Sequence, residues 1–469
     1  MRENLRPDDH LRWGIDTGDE FVFFAAMATS RPPRVPLTTS QSNVLETLHE
    51  LVGPDEILET GRRLGVIQRQ RKLDLPALVK ATILAMSPHP GMQTSIFINY
   101  LSQTDEPMVL SSFYDRFTWP FAEMMQAMAW RSIEAVREAT PEARRRNDLG
   151  VLLKEFKDVQ AVDSSSHTLK RLARHWAPST SKVRPAGVKW HAVVSLKDGV
   201  PIAERLTEQK LHDSAGLPDG ALAAGTLTLF DLGYLDVGRF IDAIERGADF
   251  LTRLKTNHNP IVLRVHTGKG DRVKARGMRL DDALEQKVLL DHAGALDLDV
   301  QLEANGKTAT ARVVAELAPD GEFHWYLTSV SRKVLSIDDV VEAYRLRWYV
   351  ELFFKQLKSG AGLDTILASR PGAVMALVYA KVVALCLARL LELAVEKREG
   401  RHATTQLALI LVLARCGPLM LAHSFLTQGI TLEQIERRMM NIATIVGRSR
   451  NQRRERARRK REQGLGHAS

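Results

Sequence analysis

One stretch of the chain, YRLRWYVELFFKQLKSG, carries polar side chains at a spacing suited to joint chemistry. Tyr344, Arg347, Glu351 and Lys358 follow one another at steps of 3, 4 and 7 residues. At about 100° per residue these steps place all four within roughly 60° of one another on an α-helix. A carboxylate in a row with cations and a phenol can contact a metal ion or a phosphate group.

The predicted helix also has an ordinary structural interpretation. Its opposite side is apolar and can pack into a core. Arg347 with Glu351, and Glu351 with Lys355, are ion pairs four residues apart that stabilise any exposed helix. The row alone therefore does not distinguish a functional site from a solvated face. The apolar positions are Leu346, Val350, Phe353 and Leu357.

Two aspartates are predicted at the ends of β-strands. The run DVQAVD ends at Asp163 and the run TLTLFD ends at Asp231. A carboxylate at a strand end projects from a rigid backbone. If the helix of Glu351 packs on the same sheet, the three carboxylates converge and can hold Mg²⁺, which prefers oxygen ligands. Two such ions about 3.5–4 Å apart suit phosphodiester chemistry. Each aspartate alone can equally be a turn or helix-capping residue.

The composition favours a globular protein in a reducing compartment. Apolar residues make up 44% and charged residues 26% of the 469 residues. The N-terminal run MRENLRPDDH has no apolar core of signal-peptide type. The apolar stretch from Val374 to Val395 carries three charged residues, which favours a buried helix over a membrane span. Cys386 and Cys416 indicate neither a disulfide framework nor a cysteine-based zinc site.

The positive charge is concentrated in two places. The net charge is +9, and the segment from Arg448 to Ser469 supplies +7 of it through nine Lys and Arg and two Glu. A second basic stretch, from Ser164 to His191, has no acidic residue. Clustered cations of this kind suit the phosphate backbone of nucleic acids. The tail alone is explained as well by a disordered, solubilising end.

The periodicity of the sequence changes along the chain from helical to strand-rich and back. Residues 41–150 favour short helices, compatible with either a helix-turn-helix DNA reader or a plain helical bundle. VKWHAVVSL, KDG and VPIAERLTE predict a β-hairpin. The predicted regions are an irregular segment at 1–40, a helical DNA-binding domain at 41–150, a core in two parts at 151–255 and 324–370, a β-rich insertion at 256–323, a helical region at 371–447 and a basic tail at 448–469.

The helix row matches the pattern Y-x2-R-x3-E-x6-K without a gap. This pattern resembles the signature of bacterial insertion-sequence transposases of the DDE class, insertion-sequence-four type. The order strand-Asp, strand-Asp, β-rich insertion, helix-Glu is similar to that family from about Asp163 to Gly362. The resemblance implies an α/β fold, a ribonuclease H-like catalytic core with a mixed sheet flanked by helices. A β-rich insertion domain interrupts it, with helical regions at both ends.

The resemblance also implies roles for particular residues. Asp163 would bridge two Mg²⁺ ions, and Asp231 and Glu351 would each complete one site; Mn²⁺ would substitute. Tyr344, Arg347 and Lys358 would contact phosphates at the transposon end. Trp325 is the candidate for stacking on a flipped base, or else a core aromatic of its strand. The further residues expected to contact DNA are Lys355, Lys170, Arg174, Lys189 and Arg253.

The function that this resemblance implies is DNA transposition. The protein would bind the terminal inverted repeats of an insertion sequence as a homodimer in a synaptic complex. It would cleave the ends through a hairpin and join the 3′-OH ends to target double-stranded DNA. It would be cytoplasmic, in a bacterial nucleoid, without a membrane partner. One alternative is a catalytically inactive DNA-binding protein. A two-carboxylate glycosidase is a weaker alternative, because it does not explain the cations.

Overall fold

A computed structural model describes residues 50–67, 73–84, 92–104, 108–140, 152–254, 258–267, 272–289, 295–317, 323–355, 358 and 365–399. These residues form two compact units. The first comprises the described parts of 152–166 and 174–354, and the second those of 50–140, 167–173 and 355–399. The predicted segment 1–40, Cys416, residues 400–447 of the predicted helical region and the basic tail lie outside the described residues.

The described helices follow the predicted helical regions at both ends of the chain and also separate the strands. In chain order they are α1 Pro54–Arg63, α2 Leu75–Leu84, α3 Met92–Leu101, α4 Leu110–Tyr114, α5 Trp119–Ala139, α6 Leu152–Glu155, α7 Val237–Glu245, α8 Arg272–Ala275, α9 Leu280–Glu285, α10 Ile337–Arg345, α11 Trp348–Lys355 and α12 Pro371–Glu399.

The first unit is built on a mixed β-sheet, which confirms the predicted mixed α/β class. Its strands are β1 Asp158–Leu169, β2 Gly187–Ser195, β3 Val200–Glu208, β4 Thr226–Phe230, β5 Asp249–Arg253, β6 Ile261–Thr267, β7 Ala295–Ala304, β8 Lys307–Leu317 and β9 Phe323–Thr328. The order across the sheet is β3-β2-β1-β4-β5-β9-β8-β7-β6. The neighbours β1, β4 and β5 are parallel. The strands β6 to β8, from the predicted insertion, continue the same sheet.

The centre of this sheet is buried and contains packed aromatic side chains. Every residue of β4 is buried, as expected for a strand between two parallel neighbours. Phe240 of α7 stacks on Phe250 of β5, with ring centroids 4.1 Å apart. Asp236 caps α7 by accepting a hydrogen bond from the backbone N–H of Arg239. The predicted hairpin is confirmed as β2 and β3, which pair antiparallel and turn through Gly199 at a φ of 74°.

The prediction of one unbroken helix from Tyr344 to Gly360 is wrong. The chain forms α10 and α11, and a turn at Leu346 and Arg347 separates them. In this turn the backbone N–H of Arg347 donates to the carbonyl of Tyr344, three residues earlier, at 3.0 Å. Such bonds tighten the winding relative to an α-helix. Each helix keeps its own apolar contacts; Ser336 and Asp339 cap α10 in a capping box.

The prediction that the first strand ends at Asp163 is also wrong. The strand β1 continues to Leu169, with Ser165, His167 and Leu169 buried on alternate positions. Its pairing with β4 stops after Val162. Farther on, Thr168 and Leu169 pair in parallel with the two-residue strand β10, Thr365–Ile366. Because β1 pairs first with β4 and then with β10, it continues beyond the run DVQAVD from which its end was predicted.

The second unit is helical around α5 and α12. The side-chain amide of Gln126 donates to the hydroxyl of Tyr379 at 2.8 Å. The backbone at Gly372 lies so close to Thr118 that an added Cβ would stand 3.1 Å from the Thr118 carbonyl carbon. Within the described part of the chain, one helix, in the range 371–390, is long and apolar enough to cross a membrane. It is entirely buried, as a core helix is, so it is weak evidence for a span.

Candidate active site

The register of two parallel strands places Asp163 beside Asp231. The last residue pair between β1 and β4 is Val162 with Phe230. In each segment the next residue along the chain is an aspartate. Adjacent strands lie about 4.8 Å apart, so the two carboxylates leave the sheet at the same level. Asp231 also begins the short 3₁₀ turn Leu232–Tyr234.

Glu351 is held by an arginine from the turn before its helix. The Nη2 atom of Arg347 donates to Oε1 of Glu351 at 2.5 Å. The guanidinium carbon of Arg347 lies 5.8 Å from the ring centroid of Tyr344. The side chain of Arg347 is 15% exposed and that of Glu351 is 32% exposed. The break in the helix thus keeps the predicted Tyr, Arg and Glu in contact.

The electrostatic interactions of Asp163 indicate that the three predicted carboxylates lie near one another. Burial is the main cause that raises the pKa of Asp163 to about 6. The backbone N–H of Ser164 and the charge of Arg347 oppose this rise, whereas the charges of Asp231 and Glu351 add to it. Like charges raise a carboxyl pKa only when they lie near one another. The site therefore concentrates negative charge around Asp163, and Arg347 offsets part of it.

The aromatic side of the site includes a second arginine. Burial raises the pKa of Tyr344 to about 12, partly offset by the charges of Arg347 and Arg253. The rings of Tyr344 and Tyr326 have centroids 5.3 Å apart. The guanidinium of Arg253, at the end of β5, lies 5.5 Å from the ring centroid of Tyr326. Arg253 thus lies near the predicted phosphate-contacting residues.

The other residues predicted to contact DNA differ in their burial, their partners and the unit to which they belong. Trp325 lies in β9 and packs against the hydrophobic cluster of the first unit, in the manner of a core aromatic. Lys189 is paired with Asp213, at 3.0 Å. Arg174 is exposed. The remaining three belong to the second unit: Lys170 and Lys355 are exposed, and Lys358 is half-buried.

The donor chemistry fits a hard divalent cation. Three carboxylates offer the oxygen ligands that Mg²⁺ prefers. The charges of Asp231 and Glu351 raise the pKa of Asp163, so a bound cation would stabilise the ionised carboxylates. As the side chains stand, no group of three or more His, Cys, Asp or Glu among the described residues is arranged to hold a metal ion. Glu351 would have to exchange the guanidinium of Arg347 for such an ion.

Comparison with known proteins identifies the family. Residues 154–387 match the family described as the transposase DDE domain. The chain belongs to this transposase family. The matched range contains Asp163, Asp231, Tyr344, Arg347 and Glu351. The finer assignment to the insertion-sequence-four type stays a prediction.

Several curated relatives are transposases by name. The chain is 27% identical over 235 residues to the putative transposase y4zB of Sinorhizobium fredii, covering 50% of this chain and 60% of the relative. It is 20% identical over 352 residues to the transposase of element IS231C of Bacillus thuringiensis, covering 67% of this chain and 72% of the relative. It is 41% identical over 58 residues to the transposase of element IS421 of Escherichia coli, covering 12% and 16%.

The match to the Sinorhizobium relative therefore spans less than two thirds of that protein. Among solved structures, a chain of the piggyBac transposase synaptic complex with hairpin DNA aligns with a TM-score of 0.45 and 11% identity, covering 85% of each chain. A TM-score at this level carries no weight for the fold.

Proposed function

We propose that this transposase cuts DNA at the terminal inverted repeats of an insertion sequence and joins the freed 3′-OH ends to target DNA. The observation that carries the proposal is the register of β1 and β4, which sets Asp163 beside Asp231. The electrostatic coupling of Asp163 to Glu351 and Arg347 supports it. The parallel β1, β4 and β5 with the β2–β3 hairpin support a ribonuclease H-like core.

The three carboxylates would hold two Mg²⁺ ions, with Mn²⁺ as a substitute. Bound there, the ions supply activation of the attacking oxygen and stabilisation of the leaving oxygen. In the first step a water oxygen forms a bond to phosphorus and the bond from phosphorus to the 3′ oxygen breaks, leaving a 3′-OH. In the second step that 3′ oxygen loses its proton to solvent and bonds to the phosphorus of another phosphodiester, on the opposite strand for a hairpin or on target DNA for joining; the bond from that phosphorus to its own 3′ oxygen breaks and releases a new 3′-OH.

Arg347 and Tyr344 would hold the phosphate that reacts. An arginine can donate two parallel hydrogen bonds to phosphate oxygens. Arg347 is half-buried beside Glu351, and its charge already acts on Asp163. Arg253 lies close to the same ring pair and would contact a neighbouring phosphate. Joining two ends would require two copies of the chain on double-stranded DNA.

A cleavage assay tests the proposal. Wild type, Glu351→Ala and Glu342→Ala are incubated with a linear duplex that carries the terminal repeat of the protein's own element, in Mg²⁺ and in EDTA. Glu342 is a matched control because it pairs with Arg345 on the exposed face of α10. We expect nicks or hairpins at the repeat boundary for wild type and Glu342→Ala in Mg²⁺, and none for Glu351→Ala or in EDTA.

The other outcomes of this assay are also informative. If every protein binds the repeat and none cuts it, the chain is a DNA-binding protein without catalysis, which is the alternative function predicted from the sequence. If Glu351→Ala cuts as fast as wild type, the assignment of Glu351 is refuted.

A further inference from the structure

A single residue ties Asp163 to a fourth carboxylate. The backbone N–H of Ser164 donates to Oδ1 of Asp163 at 2.7 Å. The hydroxyl of the same Ser164 donates to Oδ1 of Asp213 at 2.9 Å. Ser164 is thus held between the two carboxylates by its two donors. Ser164 thus connects Asp213 directly to the backbone that carries Asp163.

Asp213 is itself fixed by a cation from the neighbouring strand. Nζ of Lys189, in β2, lies 3.0 Å from Oδ1 of Asp213 and donates to the carbonyl of Leu211 at 2.8 Å. Burial alone would raise the pKa of the Asp213 carboxyl. The hydrogen bonds from Lys189 and Ser164 outweigh burial and hold this pKa below its ordinary value. Asp213 is therefore ionised and paired with a cation.

Asp213 also lies against the turn that follows Asp231. A Cβ added at Gly233 would stand 3.1 Å from Oδ2 of Asp213, which is closer than most real Cβ contacts. Gly233 is two residues after Asp231. One carboxylate thus contacts both backbone segments that carry the predicted aspartate ligands.

The segment that carries Asp213 is locked onto a buried histidine. A Cβ added at Gly216 would stand 2.2 Å from Nε2 of His191, so only glycine fits there. Nδ1 of His191 lies 2.6 Å from the hydroxyl of Tyr234, and Nε2 lies 2.9 Å from the hydroxyl of Thr207. Burial lowers the pKa of His191 to about 3, so the ring is neutral. Fully paired buried polar networks of this kind are rigid.

We propose that Asp213 is a positioning residue: through the hydroxyl of Ser164 and the turn at Gly233 it fixes the direction of the Asp163 and Asp231 carboxylates. This inference rests on the proposed function, because it assumes that these two aspartates hold Mg²⁺. Asp213 does not touch the reacting atoms. It acts as the outer partners of metal ligands do, by fixing the ligands before the ion binds.

The test uses Asp213→Asn, Ser164→Ala and the double variant. Asp213→Asn keeps the shape of the side chain and removes its charge, whereas Ser164→Ala removes one hydroxyl. Mg²⁺ binding is measured by titration calorimetry on the full chain bound to duplex DNA with the terminal repeat. Cleavage rates are measured over the same Mg²⁺ range. DNA affinity in EDTA and the thermal midpoint are measured in parallel.

We expect each single variant to raise the half-saturating Mg²⁺ concentration about 10–100-fold, the range typical for outer partners of metal ligands. The double variant should be no worse than the more severe single variant, because both changes act on the same hydrogen bond: Asp213→Asn weakens it by removing the charge of the acceptor, and Ser164→Ala removes its donor. DNA affinity in EDTA should not change. Asp297→Asn is the control: Asp297 pairs with Arg312 in a buried ion pair of the same unit. It should lower the thermal midpoint and leave the Mg²⁺ dependence as in wild type.

Each remaining outcome counts against the inference. A wild-type Mg²⁺ dependence in folded Asp213→Asn refutes it, as does a double variant whose loss is the product of the single losses. If Asp213→Asn does not fold, Ser164→Ala decides alone, since it leaves the pair of Asp213 with Lys189 in place. If the wild-type complex takes up no Mg²⁺, the proposed function and the inference both fail. If wild type binds Mg²⁺ and the variants match it, only the inference fails.

Discussion

Replacing Asp163 with asparagine should stabilise the metal-free protein while abolishing cleavage. The pKa of Asp163 is raised from 3.8 to about 6, with burial as the main cause. Since one pH unit corresponds to about 1.4 kcal/mol, the ionised carboxylate costs the folded state about 3 kcal/mol at pH 7. Asparagine has the same shape, carries no charge and can still accept the hydrogen bond from the N–H of Ser164.

The sign of this effect sets its pH dependence. The folded state has the higher pKa and therefore binds the proton more tightly than the unfolded state. The cost is absent below about pH 4, grows between about pH 4 and 6, and is complete above that range. The gain in stability from Asp163→Asn should therefore shrink by roughly half between pH 7 and pH 5.

Thermal unfolding in EDTA measures this gain. For a unit of this size, about 3 kcal/mol corresponds to a rise of roughly 6–12 °C in the midpoint. Asp297→Asn is a control of opposite sign, because hydrogen bonds from Arg312 and Arg332 outweigh the effect of burial and hold the pKa of Asp297 below its ordinary value. That variant should lose stability at pH 7. If Asp163→Asn melts at or below the wild-type temperature at pH 7, the argument from burial is refuted.

Two further substitutions test the DNA contact of Arg347 and the packing of Gly216 against His191. Arg347→Ala should weaken binding of the terminal repeat in EDTA by about tenfold or more, since hydrogen bonds to charged groups contribute about 1.5–3 kcal/mol. Arg345→Ala, an exposed ion-pair change on α10, should alter it little, and equal losses in an anisotropy titration would contradict a special role for Arg347. Gly216→Ala should destabilise the protein by about 1–3 kcal/mol, because its Cβ would overlap the ring of His191. An unchanged melting curve would show that the ring can move.

The strands that carry the aspartates could be predicted from local sequence. TLTLFD is a buried β-rich run, and Asp231 follows β4 directly, as predicted. Asp163 lies at the level of Asp231 on the neighbouring strand, but the predicted end of its strand is wrong, because β1 continues to Leu169 after leaving β4. Where a strand changes partner depends on distant segments, which residue types along the strand do not specify.

Asp213 was absent from the predicted site because its contacts are all tertiary. It lies in a 3₁₀ turn of four residues, Asp213–Gly216, between the hairpin and β4. In the sequence this turn is an ordinary run of small and polar residues, typical of a loop. Its partners Ser164, Lys189 and Gly233 lie on three other elements. Only the order of the strands, which sets β2 beside β1 and β1 beside β4, brings them together.

The break between α10 and α11 shows what residue spacing can and cannot determine. Steps of 3 and 4 residues align side chains on one face of an α-helix. They also align side chains across a single turn whose backbone hydrogen bonds join residues three apart. The spacing therefore predicted the contact of Arg347 with Glu351 and Tyr344 but not the turn. With Arg347 in the turn, its guanidinium reaches Glu351 on α11 while its ring contact is with Tyr344 on α10. The guanidinium of Arg347 thus links both helices to the carboxylates. A phosphate bound at this site would compete with Glu351 for the guanidinium.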